Sequence, residues 1–235
     1  YPSDACSVQA AIGAVNAVAF DISAACAGFI FAMNIVEGFF KAGIYKTALI
    51  IGAETLSKVT DWSDRGTCVL FGDGAGAAVL KAEETGIIDM MMGADGTKGD
   101  VLACTSRTVG NFLTGTKPEL GFMTMDGQEV FKFAVRKVPE SVMELLQRTG
   151  TKKEDIKYYV LHQANERIIE AAARRLKEPM EKFPMTIGQF GNTSTASIPL
   201  LLDDMIQKDM LKRGDKIIMS GFGAGMTWGA VLMEW

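Results

Sequence analysis

Asp21-Ile22-Ser23-Ala24-Ala25-Cys26-Ala27-Gly28-Phe29 is the stretch on which the reading of this chain turns. The apolar run Val18–Ser23 has the length and pattern of a buried strand, Ala24–Ala27 is a small-residue turn, and a helix is predicted over Ala27–Ala42. Phe29, Phe31, Met33, Ile35, Val36, Phe39 and Phe40 make that helix apolar nearly all round, as a buried helix is. Cys26 is therefore placed at a helix N-terminus, where unpaired amides and the helix dipole favour thiolate over thiol. A lone buried cysteine is more often an inert core residue. Two further turns decide against that reading.

The only histidine, His162, closes the predicted strand Ile156–Leu161 and precedes a helix over Asn165–Leu176. Asn192 follows a predicted strand, Pro184–Gln189, and precedes a helix over Ala196–Lys208. Three strand-to-helix turns thus offer a thiol, an imidazole and a carboxamide. In α/β proteins ligands bind at the C-terminal ends of strands, where such turns lie. Taken singly, His162 reads as a structural residue and Asn192 as a helix cap. Together they form a candidate catalytic set.

The same order of elements occurs twice. The first half reads helix Asp4–Val15, strand Val18–Ser23, helix Ala27–Ala42, and strands Thr47–Gly52 and Ala75–Leu80. The second adds strands Lys216–Ser220 and Trp228–Glu234 to the elements above. Cys26 and Asn192 fall on the same turn of their halves, the signature of a duplicated α/β unit. We expect mostly parallel, buried sheets with helices on both faces. The two units are 1–86, carrying Cys26, and 87–235, carrying His162 and Asn192. The first begins at a helix with no strand before it, so equal halves require roughly 69 more residues upstream. The first half is accordingly expected to be incomplete and the chain truncated at its N-terminus. Gly93–Gly121, rich in Gly and Thr, is expected to be a long loop shaping a substrate entrance.

Gly72-Asp73-Gly74-Ala75-Gly76-Ala77 matches a loose dinucleotide fingerprint, but that motif needs a helix after it, and Ala78-Val79-Leu80 reads as a strand. A close-packed turn is the better reading. Gly221-Phe222-Gly223-Ala224-Gly225 lacks the Lys-Ser/Thr of a phosphate loop. Its glycines let backbone amides approach a ligand closely.

Net charge is −4 and 48% of residues are hydrophobic, with no apolar run long enough to span a membrane and no visible secretory signal. Cys6, Cys26, Cys68 and Cys104 form no CxxC pair and no metal-ligand spacing with the single histidine. Reduced thiols in a cytoplasmic enzyme without a metal are the simplest account. The acidic balance argues against a nucleic-acid partner.

DISAACAGF, LHQANERI and GNTSTASIP, together with FGDGAGAAVL and GFGAGMTWGA, resemble the motifs of the β-ketoacyl-[acyl-carrier-protein] synthase III family, in family order from Tyr1 to Trp235. The resemblance implies a duplicated thiolase-like αβαβα five-layer fold and the initiating condensation of type II fatty-acid synthesis. It implies Cys26 as the acylated nucleophile, His162 and Asn192 as its partners, and the amides of Cys26 and Ala224 as the oxyanion hole. Acyl-CoA and malonyl-[acyl-carrier-protein] are then substrates, with no organic cofactor and no metal. One histidine cannot supply the Cys-His-His set of elongating ketosynthases, and Gly221–Gly229 lacks the second cysteine of thiolases. The Cys-His-Asn set leaves chalcone-synthase-like and hydroxymethylglutaryl-CoA-synthase-like enzymes as relatives. A cysteine hydrolase shares the residue order but not the duplicated pattern. A non-catalytic partner subunit would have no need of the three residues.

The resemblance also implies binding residues. Arg65 lies against the CoA nucleotide, Ala164 and Asn165 against the pantetheine arm, and Phe222 and Gly223 line the same tunnel. Tyr1 reaches from one subunit of a homodimer into the other's pocket. Lys132, Arg167, Arg174 and Arg175 face the acidic carrier protein; the last three share one helix face by their spacing. The sequence leaves the acyl primer open, because a methylene is worth only about 1 kcal/mol of discrimination.

Overall fold

The computed structural model describes residues 2–104, 109–119 and 121–235. In chain order these form α1 (Asp4–Ala11), a 3-10 turn (Ala25–Ala27) running into α2 (Gly28–Lys41), β1 (Thr47–Glu54), β2 (Gly74–Lys81), β3 (Ile87–Ala94), β4 (Leu102–Cys104), β5 (Met123–Met125) and α3 (Gly127–Thr149). Then come β6 (Ile156–Leu161), α4 (Glu166–Leu176), the short α5 (Ile187–Phe190), a second 3-10 turn (Ser194–Ala196) running into α6 (Ser197–Gln207), β7 (Lys216–Gly223) and β8 (Thr227–Glu234).

β7 and β8 carry unbroken buried runs, Ile217 to Gly223 and Gly229 to Leu232, because both faces of their sheet are covered. The sheet runs β3-β8-β7-β6. Ile218, Ala230 and Leu232 pack against α3 and α4 through Val142, Leu145, Ile169 and Ala173. Ile217, Met219 and Val231 face the other way, onto Phe29, Ile30 and Met33 of α2 and Leu201 and Met205 of α6. Ile50 of β1 and the half-buried Ala78 and Leu80 of β2 close the far side of that helix pair. The layers therefore run helices, sheet, helices, sheet, as in a thiolase-like fold. Helices cover both faces of the larger sheet as expected, but only β6 and β7 pair in parallel. β7 and β8 are joined by a three-residue turn and must run antiparallel, and β3 adds antiparallel to β8.

The duplication holds at residue level. α2 and α6 start at Gly28 and Ser197, and β1 and β7 span Thr47–Glu54 and Lys216–Gly223, a constant offset of 169 residues. At that offset Ala25 and Ser194 both take left-handed backbone angles, φ 46° and 49°, a strained choice for residues with a Cβ. The two turns cross. A Cβ on Gly52 of β1 would lie 2.7 Å from the Thr195 carbonyl oxygen, so only glycine lets β1 pass that close to the second-half turn.

Several expectations need correction. Val18–Ser23 forms no strand, since no ladder partner exists among the described residues; Asp21 instead accepts hydrogen bonds from the Asp4 and Ala5 amides at the start of α1. α1 stops at Ala11, short of Val15, because Gly13 turns left-handed. Pro184–Gln189 is no strand either. Pro184 has no N–H, the Thr186 amide is held by the Gln163 side chain, and the chain coils into α5. Gly93–Gly121 begins in β3 and includes a 3-10 segment and β4. β3 and α3 have no counterpart in the sequence reading; Pro139 and a charged surface hide the helical period of α3. No helix among the described residues is long and apolar enough to cross a membrane.

Candidate active site

Cys26, His162 and Asn192 line one cavity of about 220 Å³. Ala164, Asn165, Phe222 and Gly223 line it too, as expected from the sequence. Phe71, Leu102, Met125, Val130, Phe131 and Ile168 complete an apolar wall that the sequence does not announce. Phe71 and Ile168 stand at the ends of the FGDGAGAAVL and LHQANERI motifs, whereas Leu102, Met125, Val130 and Phe131 come from segments with no motif of their own, and Leu102 falls inside the stretch expected to be loop.

The left-handed turn at Ala25 delivers Cys26 to the start of α2. β7 comes so close that a Cβ on Gly223 would lie 2.5 Å from the Cys26 nitrogen. Burial pushes the Cys26 thiol up to about 11; the Glu54 carboxylate adds to the rise, and a hydrogen bond with the Ser194 side chain opposes it. The expected bias to thiolate is thus outweighed in the resting site. Desolvation is the larger effect.

His162 is seated by its own amide, which donates to the Ser220 carbonyl at 2.8 Å and extends the β6–β7 pairing by one residue. Its Nδ1 lies 2.6 Å from the Ser197 hydroxyl, and the Phe222 ring meets the imidazole edge-on at 5.5 Å. Burial lowers its pKa to about 3, so the ring is neutral. Asn192 is pinned by its backbone, donating to Leu70 O and accepting from Gly72 N–H, each at 2.9 Å. Its Oδ1 accepts from the Ser194 amide at 2.9 Å, which leaves the Nδ2 donor for the cavity. The Gly72–Ala77 motif is close-packed, as expected, but it is not a turn: β2 already begins at Gly74, and the Gly72 amide ahead of it holds the Asn192 carbonyl.

Asn165 caps α4, its Oδ1 accepting from the Arg167 amide at 2.9 Å. Arg65 is not in the cavity wall. It sits exposed on a turn braced by the Asp64 carboxylate, which holds Gly66 N–H and the Thr67 hydroxyl at 2.8 and 2.7 Å, and its neighbour Gly66 does reach the cavity. Arg65 has no ion-pair partner among the described residues. Ala224 follows Gly223 but does not itself line the cavity. Tyr1 lies outside the described residues.

Lys132, Arg167, Arg174 and Arg175 are exposed on the packed pair α3 and α4. Lys132 pairs with Glu129 at 2.9 Å and Arg174 with Glu170 at 3.6 Å. Arg175 does something more specific. Pro139 cannot donate to the Val135 carbonyl four residues back, and the Arg175 guanidinium supplies that bond at 3.3 Å.

Family models described as 3-oxoacyl-[acyl-carrier-protein] synthase III and its C-terminal part match residues 20–96 and 146–235. The β-ketoacyl-[acyl-carrier-protein] synthase III of Clostridium novyi (strain NT) is 53% identical, over 100% of this chain and 73% of its own. The chain belongs to the β-ketoacyl-[acyl-carrier-protein] synthase III family. Crystal structures of synthase III from Aquifex aeolicus VF5 and Pseudomonas aeruginosa PAO1 superpose with TM-scores of 0.92 and 0.94 at 46% and 39% identity, each over 100% of this chain and 73% of the other. Synthase III is an acyl-transferring condensing enzyme of fatty-acid synthesis with the thiolase fold, and this chain is one.

Proposed function

We propose that this synthase III acylates Cys26 from an acyl-CoA and then condenses the acyl group with malonyl-[acyl-carrier-protein]. Support comes above all from the meeting of Cys26, His162 and Asn192 on one buried cavity, although 166 positions separate the first from the last. In the first half-reaction the Cys26 sulfur attacks the thioester carbon. Its proton ends on the departing CoA sulfur, and the Cys26 and Ala224 amides hold the tetrahedral oxyanion. A thiol near 11 beside an imidazole near 3 argues against a resting ion pair, so the proton leaves during attack.

In the second half-reaction the malonyl thioester loses CO2, and the bonding pair becomes an enolate. Its oxygen takes hydrogen bonds from a neutral His162 ring N–H and from Asn192 Nδ2. The enolate carbon attacks the acyl carbonyl on Cys26, the carbon–sulfur bond breaks, and the departing Cys26 thiolate takes a proton from solvent. Both halves serve the site: residues 1–86 carry the nucleophile and 87–235 the enolate donors.

Asn165, Ala164, Phe222 and Gly223 would line the pantetheine path, with Arg65 at its outer end against the nucleotide. Lys132, Arg167, Arg174 and Arg175 offer a basic face to an acidic carrier protein in a chain of net charge −4. We further propose a cytoplasmic homodimer. The test of the reading is mass spectrometry with acyl-CoA. One acyl group should appear on Cys26 and persist without hydrolysis, while Cys26→Ala should lose acylation and condensation yet keep malonyl decarboxylation. An acyl adduct that survives in Cys26→Ala would sink the assignment.

A further inference from the structure

We infer that Ser197 fixes His162 as the tautomer with its proton on Nε2. The Ser197 hydroxyl belongs to a residue only 1% exposed and has two hydrogen-bond partners among the described residues, the Gln163 amide at 3.3 Å and His162 Nδ1 at 2.6 Å. An amide N–H can only donate, so the hydroxyl oxygen accepts from Gln163. The single hydroxyl proton then has one acceptor within reach, His162 Nδ1. If Nδ1 carried the ring proton instead, two donors would face the hydroxyl oxygen and the hydroxyl proton would be buried without a partner. Buried polar hydrogens are rarely left so. The neutral ring has one proton to place, and it goes to Nε2.

Gln163 is locked as part of the same device. Its Nε2 donates to the Leu161 carbonyl at 2.7 Å and its Oε1 accepts from the Thr186 amide at 2.9 Å, so the backbone N–H aimed at Ser197 has little freedom. Ser197 is the first residue of α6, and His162 directly follows β6. The helix start therefore sets the protonation of a strand end 35 residues away. The result is a ring that presents a donor at Nε2, the nitrogen left free of Ser197. The enzymatic consequence rests on the reading proposed above, in which that donor meets the enolate oxygen; the tautomer does not rest on it. Ser197 is on this account a positioning residue.

The chain has one histidine, so the imidazole 15N spectrum of 15N-histidine-labelled protein reports this ring alone. Two-bond 1H–15N correlations at about pH 7.5, where an ordinary imidazole is mostly neutral, should show the protonated nitrogen as Nε2. Ser197→Ala should move the ring toward a mixture or toward Nδ1–H, and Ser197→Thr, which keeps the hydroxyl, should restore the original pattern. A proton on Nδ1 in the unsubstituted protein overturns the inference, and so does an unchanged pattern in Ser197→Ala. Should Ser197→Ala fail to fold, the unsubstituted and Ser197→Thr spectra still decide it. Malonyl decarboxylation should fall about tenfold or more in Ser197→Ala relative to Cys26 acylation. Loss of both half-reactions in equal measure would mark Ser197 as merely structural. The expected tautomer without any change in decarboxylation would count against the enolate role of His162, leaving the tautomer standing.

Discussion

The Thr195 hydroxyl donates to the Ala25 carbonyl at 2.6 Å, across 170 residues of chain. That carbonyl belongs to the peptide unit whose N–H is that of Cys26. The unit is planar and trans, so fixing its oxygen fixes the direction of the N–H at the other end. Thr195 stands 169 residues after Cys26, at the duplicated position of the nucleophile itself. In one half the position bears the thiol, and in the other it steadies the thiol's backbone.

Thr195→Val removes the hydroxyl at nearly constant volume. We expect a stability loss of about 1 kcal/mol, read as a fall in Tm of about 2–4 °C. Cys26 acylation should slow as well, because the amide proposed for the oxyanion hole is less firmly aimed. Thr195→Ser should recover both. Full acylation rate in Thr195→Val, with only the melting point lowered, would reduce the bond to a structural tie.

The Glu54 carboxylate sits at the end of β1 and helps hold the Cys26 thiol at about 11. A nearby negative charge disfavours a second one, so Glu54→Gln should lower the thiol pKa and enlarge the thiolate fraction at about pH 8. Alkylation of Cys26 by iodoacetamide should then run roughly 2–10-fold faster, because each tenfold gain in acidity gives a tenfold gain in thiolate while the thiol still dominates. The amide introduced by Glu54→Gln can still accept from the Thr195 backbone N–H, as Glu54 does at 3.3 Å, so the turn is left in place. An unaltered alkylation profile from neutral pH up to about pH 11 would rule out this electrostatic coupling.

The parts of this architecture legible in the sequence are those whose signal is local. α2, α4, α6, β6 and β8 are legible to within a few residues, because apolar periodicity and small-residue turns are properties of short windows. Cys26, His162 and Asn192 are legible as candidates because each stands shortly before a helix start, although of the three strands expected to lead into them only β6 forms. What fails depends on partners distant in sequence. Val18–Ser23 has the composition of a strand, but a ladder needs a second strand that composition cannot supply. Ser197 stands in plain view inside GNTSTASIP, yet nothing local ties it to a histidine 35 residues earlier. The thiol's acidity is hidden for the same reason, since helix position is local and burial is not.

Arg175 separates carrier recognition from folding. Its guanidinium serves the Val135 carbonyl left unpaired by Pro139, whereas Arg174 makes only an exposed pair with Glu170. Arg175→Ala should lower stability by about 1 kcal/mol, while Arg174→Ala should change it by less than about 0.5 kcal/mol. Both should raise the KM for malonyl-carrier protein if the basic face docks it. Arg175→Ala combined with Pro139→Ala restores a helical donor to Val135 and should recover the stability but not the KM. Equal melting points for the two single variants would refute the distinction.

His162 should leave a mark on stability against pH. Its folded pKa is depressed from the ordinary 6.5 to about 3 by burial. Between those values the unfolded chain binds a proton that the folded protein refuses. The contribution is therefore fully present above pH 6.5 and is lost as pH falls toward 3. At about pH 4.5 the loss amounts to roughly 2–3 kcal/mol. Carboxylates titrate in part of the same window, so the comparison is with His162→Gln, which keeps a polar side chain and cannot charge. Urea unfolding at steps from about pH 7 down to about pH 4.5 should show the two proteins diverging, with the unsubstituted protein losing more. Parallel curves would mean that His162 is charged in the folded state and solvated. The same depression keeps the ring neutral throughout the range in which an ordinary histidine titrates. Decarboxylation of malonyl-carrier protein should accordingly show no His inflection between about pH 6 and 8, where a donor that relied on imidazolium would lose most of its rate.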